Sequence, residues 1–274
     1  MFRRILKYRA HRGGVSLDVL FDNIRAIRRQ SDSLAITPTI TGYSWMGVNR
    51  ATHALFPGSV LELPHVLGEP AYSHRELMDI CRHVHAQGFS QLILSGFPPC
   101  FESLALRFRD HGLTVGCVFH GFLSECGQSP LSSQPFKAVL RLCRAGVIAK
   151  LACNKKGLPE TIGRLAGLRV HKVILPTRVA QFPVRRAIQR APGEIHIGVL
   201  AHDTFRKNIH NQVAAALLID GATVHVAGTP AVDYWDCKHR LVHHPETMPH
   251  GDYVSLLGQM DINLHLSFSE SWGR

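Results

Sequence analysis

The sequence lacks any apolar run of the ~18 residues that a membrane span needs, so it offers no transmembrane helix. Its seven cysteines, spread from Cys81 to Cys237, are odd in number and include no C-x-x-C pair. That pattern gives neither a disulfide framework nor a paired-thiolate zinc site. Neither G-x-x-x-x-G-K-[ST] nor G-x-G-x-x-G occurs, which argues against a P-loop NTPase and an ordinary NAD enzyme. Gly42–Gly47 misses the hydrolase elbow G-x-S-x-G by one residue. The N-terminus, MFRRILKYRAHRGG, has the charge of a signal peptide but no apolar stretch behind it. A cytoplasmic protein with reduced thiols is the expectation. Acidic residues are also scarce: 20 Asp+Glu against 31 Lys+Arg leave a formal charge of +11. Such a surface attracts anions, among them nucleic acid, acidic headgroups and phosphorylated small molecules, without choosing between them.

What is present suits a globular chain. The 274 residues are 45% hydrophobic, long enough for two domains of ordinary size. Residues 1–33 form a basic segment with Arg3, Arg4, Lys7, Arg9, Arg12, Arg25, Arg28 and Arg29 against Asp18, Asp22 and Asp32. It suits a solvated arm or peripheral contact with an anionic membrane face.

From about residue 90, short β-type runs alternate with helical patterns. Strands are expected at Gln91–Ser95, Leu113–Phe119, Val147–Cys153 and His171–Leu175. Phe101, Leu104 and Phe108 mark one helix, residues 134–144 a second, and Leu158, Ile162 and Leu165 a third. Residues 177–193 carry two prolines and four arginines without a period. The alternation restarts with strands at Glu194–Leu200, Ala222–Ala227, His239–Val242 and Asp261–Leu266. Between them lie helices marked by Ile209, Val213 and Leu217, and by Tyr253, Leu256, Leu257 and Met260. This rhythm implies βαβ units and parallel sheets. The expected fold class is α/β with two Rossmann-like domains, the second incomplete. The N-terminal domain spans 1–180, a linker 181–193, and a partial C-terminal domain 194–274.

Three stretches resemble one family. Met260–Gly273 (MDINLHLSFSESWG) resembles the donor-site motif of GT-B glycosyltransferases, particularly the retaining glycosyltransferase family 4. Gly193–Leu218 looks like the first strand and helix of that family's C-terminal domain, and Val118–Glu125 (VFHGFLSE) like its strand-end histidine loop. The resemblance covers roughly residues 90–274. Departures are Ser271 and Trp272 where the family has Gly and Phe, and no basic residue directly after Val199-Leu200. The family's second Glu would fall beyond Arg274, so a chain truncated inside the C-terminal domain is expected.

The resemblance implies roles for particular residues. His120 and Glu270 are the candidate catalytic residues, facing the transferred sugar. Arg206, Lys207, Ser269, Ser271, Trp272 and Gly273 are donor-binding candidates, the cations meeting the diphosphate that leaves with developing charge. Gly121 and Glu125 are acceptor-side candidates. No cofactor and no obligatory metal are implied, since Lys and Arg replace a cation at the diphosphate. The implied partners are a nucleotide sugar and a glycan or lipid-linked acceptor, with reaction in a cleft between domains. The alternative is a truncated, non-catalytic nucleotide- or partner-binding remnant. Nucleic-acid binding rests only on net charge and is disfavoured.

Other histidines give weaker signals. Cys81, His83 and His85 have metal-like spacing, but only Cys81 and His85 share a helix face. His243-His244 has no further ligand at usable spacing. Tyr43, Trp45 and Asn49 fall in a glycine-punctuated segment suited to an acceptor-side loop or to core packing. An incomplete second domain should also leave Leu264, Leu266 and Trp272 exposed.

Overall fold

The computed structural model describes residues 15–40, 46–66, 69–70, 72–121, 130–174, 188, 191–201, 207–228 and 235–267. The chain divides into two compact units, Met1–Pro176 and Thr177–Arg274. Each is an α/β unit built on its own sheet.

In the first unit, α1 (Leu17–Arg28) precedes β1 (Ser33–Ile40), α2 (Met46–Leu55), β2 (Val60–Val66) and β3 (Glu69–Pro70). Then come α3 (His74–Ala86), β4 (Gln91–Ser95), α4 (Phe101–Asp110), β5 (Thr114–Phe119) and α5 (Pro130–Arg144). β6 (Ile148–Cys153), α6 (Leu158–Ala166) and β7 (Val170–Lys172) complete it. The sheet order is β3-β2-β1-β4-β5-β6-β7, parallel except for the β2–β3 pair. The strand order reverses between β1 and β4, so the topological switch point lies there.

The first 90 residues hold structure that the periodicity did not announce. β1 is a central strand containing Pro38, a residue that normally argues against such a place. The register explains it. Ala35 donates its N–H to Ser59 O on the β2 side, so even-numbered residues aim their N–H toward β4. The β1–β4 ladder ends at Ile36↔Leu94, so the N–H that Pro38 lacks has no ladder partner to lose.

Half of the expected basic arm is core helix. α1 opens on Ser16, whose hydroxyl accepts from Val19 N–H, and it buries Leu20, Ile24 and Ile27. These join Leu34 and Ile36 of β1 in the main apolar cluster. Arg25 faces outward beside Asp22, whereas Arg28 pairs with Asp32 and also donates its Nε–H to Gln87 O at 3.0 Å. α3 begins with a capping box: Ser73 Oγ accepts from Glu76 N–H, and Glu76 accepts from Ser73 N–H at 2.6 Å. Cys81 is fully buried, and burial pushes its thiol pKa up to about 12, so it serves as packing. His83 stacks on Phe21 and His85 on His111, so neither turns toward Cys81 as a ligand would.

The second unit runs β8 (Ile195–Val199), α7 (Ile209–Leu217), β9 (Ala222–Ala227), a 3-10 helix (Trp235–Arg240), β10 (Leu241–His244), α8 (His250–Leu257) and β11 (Ile262–Asn263). Its four strands are all parallel in the order β10-β9-β8-β11. Here the switch point lies between β8 and β11.

Several sequence expectations are corrected. The strand expected at His171–Leu175 is Val170–Lys172, and Val173 N–H still reaches Cys153 O. The strand expected at His239–Val242 starts only at Leu241, because Arg240 turns back over the α7 end. Its guanidinium donates to Leu217 O at the helix end, to Ala222 O at the start of β9, both at 2.9 Å, and to Ile219 O in the turn between them. The strand expected at Asp261–Leu266 shrinks to Ile262–Asn263, since Leu266 N–H leaves the ladder and donates to Gln212 Oε1 at 2.9 Å. Leu264, expected to be exposed, is half-buried against the second core, whereas Leu266 is 64% exposed. An apolar groove of about 220 Å³ lies beside it, lined by Ile197, Ala216, Ile262 and Leu264 among others. Trp272 lies outside the described residues.

Candidate functional site

The carboxyl edge of the first sheet carries a buried row of polar side chains. Thr37 lies on β1, Ser95 ends β4, His120 follows β5 and Asn154 follows β6. Ser95 is in register with Val118, and Phe119 with Cys153. Strand alternation therefore puts the row on one face. Thr37 and Ser95 are fully buried and His120 is 7% exposed.

Thr52 of α2, also fully buried, reaches into this row. Its Oγ1 lies 2.7 Å from Val48 O and 2.6 Å from Ser95 Oγ. His120 Nε2 is 3.0 Å from Ser95 Oγ, and Asn154 Nδ2 is 3.5 Å from His120 Nδ1. Hydrogen bonding inside the row offsets the cost of burying so many polar groups. The row sits beside the β1/β4 switch point, where open α/β sheets bind ligands.

Gly121 has a packing role here. A Cβ at this position would lie 2.7 Å from the Phe119 ring, which turns back beneath it and packs on Phe136 at 5.4 Å between centroids. A glycine is what allows that ring to lie under the turn next to His120.

In the second unit, Lys207 stands in the turn immediately before α7, on the chain that leaves β8. Asn208 caps the helix in a left-handed conformation, φ 55°. Gln212, 3% exposed, holds this turn: its Nε2 donates to Lys207 O at 2.7 Å and to Asn208 O at 3.3 Å. The same side chain accepts Leu266 N–H through Oε1. One buried amide thus joins the chain leaving β8 to the chain leaving β11, on the two strands that flank the switch point. Glu125, Arg206, Ser269, Glu270, Ser271, Trp272 and Gly273 lie outside the described residues, as do Tyr43 and Trp45. Asn49 is on α2.

A feature that sequence reasoning missed crosses the second sheet. His196 on β8, His225 on β9 and His244 on β10 form a hydrogen-bonded chain. His196 Nδ1 to His225 Nε2 and His225 Nδ1 to His244 Nε2 are both 2.8 Å. His196 Nε2 faces Glu194 Oε1 at 3.6 Å. Burial, then the neighbouring His244 and His196, push the His225 pKa down to about 4. Burial and His243 lower that of His244 as well. Hydrogen bonds from Ala191 N–H and Thr223 Oγ1 hold the Glu194 carboxyl below its usual range. Each linked nitrogen is engaged by its neighbour, so the row is a hydrogen-bonded chain rather than a convergent ligand set. His243 bonds to Gly228 O instead.

Sequence distance hid this chain, because nothing in a one-dimensional pattern connects positions 196, 225 and 244. Ser95 was more accessible: it closes an apolar strand just as His120 follows one. No protein-family model matches the chain, and no curated protein sequence matches it.

Proposed function

We propose that the chain is a glycosyltransferase of the GT-B type, moving a sugar from a nucleotide-sugar donor to a glycan or lipid-linked acceptor with retention. The observation that carries this reading is the β8/β11 switch point. The turn holding Lys207 and the chain leading into the 269–273 motif depart from those neighbouring strands, and Gln212 ties them together.

That arrangement suits a diphosphate leaving group. As the glycosidic bond breaks, negative charge grows on the phosphate oxygens, and a cation with a helix N-terminus stabilises it. Lys207 and the start of α7 supply both, with Arg206 adding a second cation. Glu270 accepts hydrogen bonds from sugar hydroxyls, and Ser269, Ser271, Trp272 and Gly273 complete the donor loop. On the first unit, His120 faces the transferred sugar, with Glu125 on the acceptor side. No obligatory metal enters the reading.

The test is binding before turnover. Thermal shift and calorimetry with UDP, GDP and ADP should show one nucleoside diphosphate bound, and Lys207→Ala should weaken it roughly tenfold, about 1.4 kcal/mol. Nucleotide release from the matching sugar donor then reports transfer. Binding without release under any acceptor would favour the non-catalytic binding module. Binding of none of the three would sink both readings.

A further inference from the structure

The hydrogen-bond chain behind His120 has a fixed direction, and the direction follows from counting protons. Thr52 has one hydroxyl proton, and Val48 O, a group that can only accept, lies at 2.7 Å against 3.5 Å for Thr37 Oγ1. Thr52 therefore donates to Val48 O. At 2.6 Å, the Ser95–Thr52 contact needs a proton between its oxygens, and only Ser95 has one to give. Ser95 then has no proton left for His120, 3.0 Å away, so His120 Nε2 must donate to Ser95 Oγ. All three side chains are buried, so water does not offer an alternative partner cheaply.

We propose that Thr52 and Ser95 are positioning residues that lock His120 as its Nε2–H tautomer, leaving Nδ1 as the acceptor nitrogen at the carboxyl edge of the first sheet. Asn154 fits this assignment, since its Nδ2 approaches Nδ1 as a donor at 3.5 Å. Two consequences follow. Ser95 is not a nucleophile activated by His120, because the shared proton belongs to the imidazole and Ser95 gives its own to Thr52. Nδ1 accepts rather than donates, which suits the Asn154 amide proton and makes a phosphate oxygen an unfavourable neighbour for it. Resting on the glycosyl-transfer reading, an acceptor Nδ1 makes His120 an unsuitable contact for the donor diphosphate.

Side-chain nitrogen NMR on the full chain labelled at histidine tests the assignment without any turnover. In the wild-type protein, His120 should show a protonated Nε2 and an unprotonated Nδ1, with the resonance assigned by its loss in His120→Gln. Ser95→Ala should remove the lock and give a mixture of tautomers. Ser95→Thr and Thr52→Ser should restore the single form, which a purely structural role would not require. Thr52→Val serves as the second variant if Ser95→Ala fails to fold: it frees the Ser95 proton to point at Nε2 and should shift the balance toward Nδ1–H. An Nδ1–H tautomer in the wild type, or an unchanged tautomer in Ser95→Ala or Thr52→Val, overturns the proposal. Neither result depends on nucleotide binding, so failure of the lock and failure of the glycosyl-transfer reading are told apart.

Discussion

His196 and His225 share a hydrogen bond of 2.8 Å across β8 and β9 while only 3% and 4% exposed. Two imidazoles can be joined this way only if one nitrogen donates and the other accepts. Both ring nitrogens of His225 are engaged by neighbouring imidazoles, so a proton added there disrupts a hydrogen bond. This makes the second unit sensitive to acid.

The sign is set by linkage. His225 titrates near its ordinary value of 6.5 when unfolded and at about 4 when folded, so the unfolded chain binds more protons between those values. Stability is fully present above about 6.5 and falls as pH drops toward 4. The lowered His244 acts in the same sense, and the lowered Glu194 carboxyl continues the loss at lower pH. Hydrogen exchange of β9 amides at pH 7.5 and 5 should show the opening, and His225→Gln should flatten the dependence. Equal protection at both pH values in the wild type would contradict it.

Gln212 joins Lys207 O, Asn208 O and Leu266 N through one buried amide. Gln212→Leu removes all three contacts and should cost about 1–3 kcal/mol in chemical denaturation. Gln212→Glu keeps the acceptor for Leu266 N–H but loses the donor to Lys207 O. If the turn matters for the diphosphate, Gln212→Glu should weaken nucleotide binding even in samples that remain folded.

Ile24 tests what the N-terminal basic segment is for. It is fully buried on α1, so Ile24→Ala should cost about 2–5 kcal/mol. Arg25, exposed and paired with Asp22, should cost under about 1 kcal/mol as Arg25→Ala. Equal and small losses would mean that α1 is a detachable arm.

At Gly198 on β8, a Cβ would meet Asn263 Oδ1 at 2.7 Å and Met260 Cγ at 2.9 Å. Gly198→Ala should therefore push β11 away and destabilise the second unit by about 1–3 kcal/mol. The same change at Gly47, where nothing lies within 4 Å, provides the control. A neutral Gly198→Ala by thermal melting would show that β11 is loosely held.

The sequence by itself determined the α/β class from residue 90 onward, because apolar runs such as Gln91–Ser95 and Ala222–Ala227 are buried on both faces and leave a pattern local enough to read. It also placed His120 and Lys207 beside strand and helix ends, since a strand end and a helix start are both written in neighbouring residues. Tertiary structure alone decided the rest. Pro38 sits in a strand whose pairing with β2 runs on to Ile40 while its pairing with β4 ends at Ile36. The strand expected through Leu266 ended at Asn263; Leu264 N–H still reaches Gly198 O, and Gln212 of α7 takes the Leu266 N–H. Thr52 stands behind His120 although 68 residues separate them, and the histidine chain spans three strands. Periodicity records which face a residue shows, but hydrogen bonds between side chains depend on which faces meet, and that is fixed only when the sheets assemble.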